Sequence, residues 1–405
     1  YNILQQRDSF KNKEYAPLIS MTGPLLTTYV PEPFKKLGAD APFLKMETAE
    51  GVRASVKEQI QHKADFIKIW YIVTDQDKEA GARKNLSLVK AAIDEAHANH
   101  LRVAVHATER ITAQLAVEAG ADFLVHNVDD EIVSDELVQL LKKQKTVLCP
   151  TLVVADGYYR VFNNSYGFTA EELAISNPQQ VASILDFYYT DSSISKALIK
   201  TTSSAKYEAF RKHSDSISLV NLTRLYKGGV CIATGTDAGN IGTHHAGSYF
   251  NELQAMQQAG FNGWDLLQAS TINGAKAVGE EKEWGSIAKG KNANMILLDA
   301  NPVDSITNWR KINSIINKGK VLKPGTILLH ANDTPVQEQL NAYNAHNLEA
   351  FLEPYADEVE VYSFPGKLMI KGKKEMREEY RFITKSAGLH CVLLNRIKEG
   401  NMIID

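Results

Sequence analysis

The chain has 405 residues, with 45 Lys and Arg against 48 Asp and Glu, a net charge of −3 with His neutral. Hydrophobic residues make up 44% and charged residues 23%, a globular balance with ample apolar material for a large core. This near-neutrality excludes a partner held by charge alone, such as nucleic acid or an anionic membrane surface, and no run of 18 apolar residues offers a transmembrane helix.

Cys149, Cys231 and Cys391 lie too far apart for a disulfide framework or a CxxC metal knuckle, and are expected as buried apolar residues. Residues 1–8 lack the basic start and apolar stretch of a signal peptide. Because the chain opens on Tyr1 rather than Met, removal of an upstream segment is expected. Localisation, cytoplasmic or periplasmic and secreted, stays open.

In chain order, short apolar runs at 17–23, 66–70, 102–106, 123–126, 147–154 and 230–237 read as parallel strands covered on both faces. Helical patterns lie between them, as at 84–100 with its 3.6-residue stripe and 112–119 closed by Gly120. This alternation predicts a right-handed parallel α/β architecture, a barrel or a doubly wound sheet. Residues 155–220 break the rhythm with helices at 170–175, 177–189 and 205–216, an insertion of the kind that shapes a substrate pocket or is merely structural. After residue 280, short segments at 284–291, 295–299 and 312–320 read as a β-rich appendage, followed by a linker. From 336 onward an α+β unit is predicted: two helices, a strand at 359–364, a turn at Pro365-Gly366, a charged helix at 373–384, and strands at 389–394 and 402–405.

Chemistry gathers at strand ends. Lys68 sits in an apolar strand, where an amine is costly unless paired or chemically altered. His106 and His126 end the next two strands, and Asp237 closes Thr234-Gly235-Thr236-Asp237. In a parallel barrel all strand ends face one rim, so the four side chains would converge. Two imidazoles, a carboxylate and a lysine that CO₂ can carboxylate make a divalent-metal site suited to zinc. Taken singly, each has a blander reading: a hydrogen-bonded core histidine, a turn or N-cap aspartate, a lysine snorkelling to the rim.

The segments Phe66-Ile67-Lys68-Ile69, Val103-Ala104-Val105-His106-Ala107, Leu124-Val125-His126-Asn127 and Thr234-Gly235-Thr236-Asp237-Ala238-Gly239 resemble the metal-binding strand ends of the amidohydrolase superfamily, in its imidazolonepropionase-like and prolidase-like branch. The segments Ala269-Ser270-Thr271-Ile272-Asn273-Gly274-Ala275-Lys276 and Gly285 to Asn294 are similar to that family's last barrel helix and its return to a small β-sandwich, so the resemblance covers about residues 15–322. It implies a (β/α)8 barrel and hydrolysis of a C–N bond in an amide, cyclic amide or dipeptide-like substrate. It further implies two divalent ions, zinc by preference. Lys68 would be a carboxylated bridge, His106 and His126 ligands of one ion, and Asp237 a ligand of the other and the general base. His245 and Tyr71 are the candidate substrate contacts.

Two departures accompany it. The family's first strand ends in a His-x-His pair, which this sequence lacks, and only the 17–23 strand precedes Lys68 where three are expected. A barrel incomplete at its N-terminus is the simplest account; an inactive scaffold or binding protein is the alternative. Asn294 stands where the family has Asp. The tail, with Val336-Gln337-Glu338 onward, Phe351, Tyr355 and Val361-Tyr362, resembles part of a SnoaL-like cone, expected as a small binding or dimerisation module; a lyase or isomerase centred there is a third reading. The expected domains are 1–280 (hydrolase barrel), 281–325 (β-sandwich return), 326–335 (linker) and 336–405 (partial SnoaL-like unit). A small-molecule substrate is the expected partner, and self-association is open.

Overall fold

A computed structural model describes residues 1–40, 42–190, 192–327, 334–386 and 388–405. By contacts they form two compact units: Tyr1–Leu152 with Lys212–Gly235 and Glu252–Ile327, and Val153–Arg211 with Thr236–Asn251 and Leu328–Asp405. Among the described residues no helix is long and apolar enough to cross a membrane. Most of the linker expected at 326–335 lies outside the described residues.

The first unit is built on six parallel strands: β1 Leu25–Thr27, β2 Phe43–Lys45, β3 Phe66–Trp70, β4 Arg102–His106, β5 Phe123–Val125 and β6 Val147–Cys149, in the order β2-β1-β3-β4-β5-β6. Helices at Ala49–Gln61, Lys78–Ala98, Arg110–Glu118 and Asp135–Gln144 return the chain between strands, so the α/β alternation read from the sequence is present. In β3 the residues alternate between full and partial burial: Ile67 and Ile69 are fully buried, while Phe66, Lys68 and Trp70 share the opposite, partly accessible face, as a two-residue side-chain period requires.

Several boundaries differ from the sequence reading. The run at 17–23 forms no strand; the first strand is Leu25–Thr27, so two strands precede β3 rather than one. Residues 17–22 are irregular, tied down by one residue instead of a ladder: Met21 N donates to the Asp65 side chain at Oδ2, and the Asp65 backbone N donates to Met21 O, both at 2.8 Å. The run at 147–154 stops at Cys149, because Pro150 supplies no N–H and the helix Val153–Phe162 starts at once. The 230–237 run touches the sheet only through an isolated parallel bridge between Ile232 and Leu148, with two ladder bonds, Leu148 N to Cys231 O and Ala233 N to Leu148 O. Gly235 is needed there, since a Cβ would fall 2.3 Å from Cys149 Sγ.

After these elements come three antiparallel strands, β7 Met295–Leu298, β8 Ile312–Asn317 and β9 Lys320–Leu322. The apolar-looking 284–291 run is turn and coil instead, in keeping with its two glycines at positive φ, Gly285 and Gly290.

The second unit holds helices at Val153–Phe162, Ala170–Ile175, Pro178–Asp186, Thr334–Asn344 and Leu348–Leu352, and the hairpin of β10 Glu360–Ser363 with β11 Lys367–Lys371. Side chains of the insertion and of the C-terminal segment share one hydrophobic core, among them Val161, Phe162 and Ile184 from the former and Ala342, Phe351 and Ile370 from the latter. The charged helix is shorter than expected, Gly372–Glu379, and tightens into 3-10 turns over Tyr380–Lys385. No strand forms at 389–394. That stretch is held by side chains: Asn344 exchanges hydrogen bonds with the Cys391 backbone at 2.8 Å, and His390 Nε2 meets Asp186 Oδ1 at 2.8 Å. Cys391 is exposed rather than buried, and Cys149 and Cys231 are half-buried.

Candidate functional site

Register places the candidate ligands of the first unit on one face of the sheet. Lys68 pairs with Ala104, Trp70 with His106, and His106 with Val125, and neighbours in a parallel register point to the same side. His126 follows the last residue of β5 and leaves the strand with φ +75°, a left-handed conformation that costs a non-glycine residue about 1–2 kcal/mol. That turn brings its ring to 4.5 Å from the His106 ring, centroid to centroid and edge to face, with Trp70 5.7 Å from His106. Thr151, just past β6, is strained in the same sense at φ +48°, and its hydroxyl lies 2.5 Å from His126 Nδ1. Strain at successive strand ends is the pattern of a site whose geometry is over-determined by its surroundings.

The loop carrying His126 is clamped from beneath. Asn127 Nδ2 donates to Ser218 O at 2.6 Å and to its hydroxyl, and Asn221 Nδ2 donates to Val128 O and Glu131 O while its Oδ1 accepts from Val133 N. Asn221 is fully buried, so these bonds hold the loop at low dielectric, where their loss is expensive.

Burial and the neighbouring cation keep the imidazoles neutral. His126 is pushed down to about 3 by burial and then by Lys68; His106 is pushed well below its ordinary value by burial, by His126 and by Lys68. Neutral imidazole is the metal-binding form. His106 Nδ1 is buried with no hydrogen-bond partner among the described residues, a deficit that an ion or a water would relieve. No three His, Cys, Asp or Glu side chains among the described residues converge as a ready metal site. The imidazole pair supplies two donors, and Lys68 adds an oxygen donor only once carboxylated.

Tyr71 is a core residue of the first unit, fully buried with its hydroxyl donating to Ala82 O at 2.5 Å. Asp237 and His245 belong to the second unit. Asp237 is exposed at φ +52°, and its Oδ2 accepts from Asn240 Nδ2 at 3.0 Å. His245 is exposed, with its N–H and Nδ1 both on Gln180 Oε1. The adjacent His244 is fully buried, its Nδ1 3.2 Å from both the Tyr166 and Ser248 hydroxyls. His244 is thus a hydrogen-bonded core residue, and His245 an exposed loop residue.

One further acid stands beside the His126 loop. Burial, then Asp130 and Glu109 and more weakly Asp215, raise Asp129 to about 7. Its folded value lies above the unfolded one near 3.8, so the unfolded chain releases this proton first and folding weakens as pH climbs between those values. Discounted for its solvent-facing side, the loss is of order 2 kcal/mol. Chemical denaturation at pH 4.5 and 7.5 should show the wild type losing about that much relative to Asp129→Asn; parallel curves for the two proteins would remove Asp129 as the cause.

The Amidohydrolase family profile matches residues 35–324, well over half the chain. The chain belongs to the amidohydrolase family. Curated relatives match over short stretches: an imidazolonepropionase of Shouchella clausii (strain KSM-K16) is 38% identical over 72 residues, 17% of this chain and 16% of that protein. A 5-methylthioadenosine/S-adenosylhomocysteine deaminase of Teredinibacter turnerae is 35% identical over 83 residues, 19% of each. The chain therefore spans under a fifth of the length of these relatives. Among solved structures, a Xaa-Pro dipeptidase with bound methionine is 21% identical at TM-score 0.57, over 79% of this chain and 72% of that one. A putative prolidase from Bifidobacterium longum is 22% identical at TM-score 0.58, over 83% and 72%. At such identities the likeness is one of fold, and this family's fold carries the parallel sheet described above.

Two residues of the local geometry escaped the sequence reading: Thr151 and Asn240. For Thr151 the signal was Cys149-Pro150-Thr151, where the proline ends the strand. For Asn240 it was a turn-forming Asn after Asp-Ala-Gly.

Proposed function

We propose that this chain is a metal-dependent hydrolase that opens a C–N bond of an amide, cyclic amide or dipeptide-like substrate with an activated water. The observation that carries the reading is the pair of neutral imidazoles of His106 and His126, 4.5 Å apart, on the sheet face that also carries Lys68, with a buried ring nitrogen of His106 that has no hydrogen-bond partner among the described residues. The residues that would hold two divalent ions, zinc by donor chemistry, are carboxylated Lys68, His106, His126 and Asp237. When bound, such ions lower the pKa of water and polarise the scissile carbonyl. The protein's own part is to orient and to move protons. Thr151 fixes the His126 ring, Asp237 accepts the proton of the attacking water at its carboxylate and returns it to the leaving nitrogen, and His245 orients the substrate. The six parallel strands are read as an arc of a (β/α)8 barrel, and the 336–405 segment as a SnoaL-like elaboration.

A binding scaffold is the second reading, favoured by the missing His-x-His pair. The full chain, incubated with Zn²⁺ and desalted, separates the two when assayed on Ala-Pro, N-acetylmethionine and dihydrouracil. About two ions per chain with turnover of one panel member is the expected result; a metal-free, inert protein overturns the hydrolase reading. Thr151→Val should weaken Zn²⁺ binding by about 10–100-fold, as losses of a ligand's hydrogen-bonded support do, while Thr151→Ser, which keeps the hydroxyl, stays near wild type. Equal affinities for Val and Ser would dismiss the hydroxyl's role.

A further inference from the structure

We propose that Tyr158 and Asn240 are positioning residues that hold the Asp237 carboxylate in its working orientation; this deepens the base role above and rests on it. All three belong to the second unit. The Tyr158 hydroxyl donates to Asn240 Oδ1 at 2.5 Å, and Asn240 Nδ2 donates to Asp237 Oδ2 at 3.0 Å. The orientation of the amide is forced. Its Oδ1 also accepts from Ile241 N at 2.9 Å, so a flipped side chain would set its NH2 against a backbone N–H and its oxygen against a carboxylate. Only one orientation satisfies all three neighbours, and it aims a donor at Asp237 Oδ2, so that Oδ1 would be the carboxylate oxygen to accept the proton.

The backbone is arranged to permit this chain of bonds. Asp237 O accepts from Asn240 N at 3.1 Å and from the Thr243 hydroxyl at 2.8 Å, which closes the turn that holds Asp237 at positive φ. The helix Val153–Phe162 meets the same loop with backbone touching backbone: a Cβ on Gly242, whose φ is +79°, would fall 2.3 Å from Gly157 C and O. Side chains at either glycine would push apart the elements that carry Tyr158 and Asn240. On the next residue, the Arg211 guanidinium lies 4.3 Å from the centre of the Tyr159 ring, a cation–π contact that fixes the rotation of the helix. Burial raises the Tyr158 hydroxyl above its ordinary value, so it remains a donor throughout the neutral range.

The test compares the full chain with Tyr158→Phe, Asn240→Ala, the double variant and Asp237→Asn, all loaded with Zn²⁺. Turnover is measured on whichever panel member the wild type cleaves, and amide hydrogen exchange over 237–243 is followed by mass spectrometry. Each single variant should lower kcat by about 10–100-fold, the size of effect seen when supports of a reacting group are removed, with KM within twofold. The double variant should fall no further than the worse single one, because the residues act in series. Exchange over 237–243 should quicken in both. A raised KM at unchanged kcat would make Tyr158 a substrate contact and overturn the proposal. Wild-type kcat in Tyr158→Phe beside a dead Asp237→Asn would overturn it while leaving the base role intact. A fully active Asp237→Asn would fell the base role and the positioning role together. If no panel member is cleaved, exchange decides: unchanged protection over 237–243 in Tyr158→Phe and Asn240→Ala overturns the chain of bonds, and faster exchange in both supports it.

Discussion

Asp237→Asn is expected to lower kcat/KM by about 10³-fold, within the range attributed to a positioned general base, while moving the melting temperature by no more than about 2 °C. The two halves of this expectation rest on different observations. Chemically, an amide of the same size cannot take the proton of a water, so the loss falls on the transition state and appears in kcat. Structurally, the Asp237 side chain is exposed, and its side-chain partner among the described residues is Asn240 Nδ2, from which an asparagine oxygen accepts equally well. Substitutions at such positions cost roughly 0.5 kcal/mol or less. The strained φ of +52° favours the change, since Asn tolerates the left-handed region as well as Asp does. The check is steady-state kinetics beside a thermal melt. Undiminished turnover would end the assignment of Asp237 as base, and a collapse of the melt alongside lost activity would show the residue to be structural.

How much of this was legible in the sequence depends on the range of the interactions involved. The strands carrying Lys68 and His106 were placed correctly because Phe66–Trp70 and Arg102–His106 are short, largely apolar runs set between helical patterns, a local signal that holds although one face of Phe66–Trp70 is only partly buried. The strands Leu25–Thr27 and Phe43–Lys45 were missed because three residues leave too short a pattern and Pro17-Leu18-Ile19 imitates it. His126 was found as a strand end, but its turn to positive φ is dictated by Thr151 and by the Asn221 clamp, contacts 25 and 93 residues away in the chain. The same holds for Tyr158 and Asn240, separated by 82 residues. The strand expected at 389–394 failed for a related reason: Asn344 and Asp186 satisfy that segment's polar groups from a distance, so no ladder is needed.

The core shared by the insertion and the C-terminal segment was likewise invisible to a linear reading, and it has the largest consequence for stability. Phe351 is 1% exposed and packs its ring 4.8 Å from Tyr380, 5.6 Å from Tyr355 and 6.0 Å from Tyr343, within a cluster that includes Val161, Phe162 and Ile184 of the insertion. Truncation to alanine removes a ring from a closely packed site that cannot collapse around the void, at a cost of about 3–5 kcal/mol. Because helices of both segments lean on this cluster, the loss is expected to be felt in both. In Phe351→Ala, amide exchange should quicken by two to three orders of magnitude over 161–185 as well as over 336–352, while the strands at 67–69 and 103–105 keep their protection. Faster exchange confined to 336–385 would show that the C-terminal segment folds apart from the insertion, and the single core would have to be abandoned. Phe351→Leu serves as the control: it preserves most of the buried volume and should recover most of the protection.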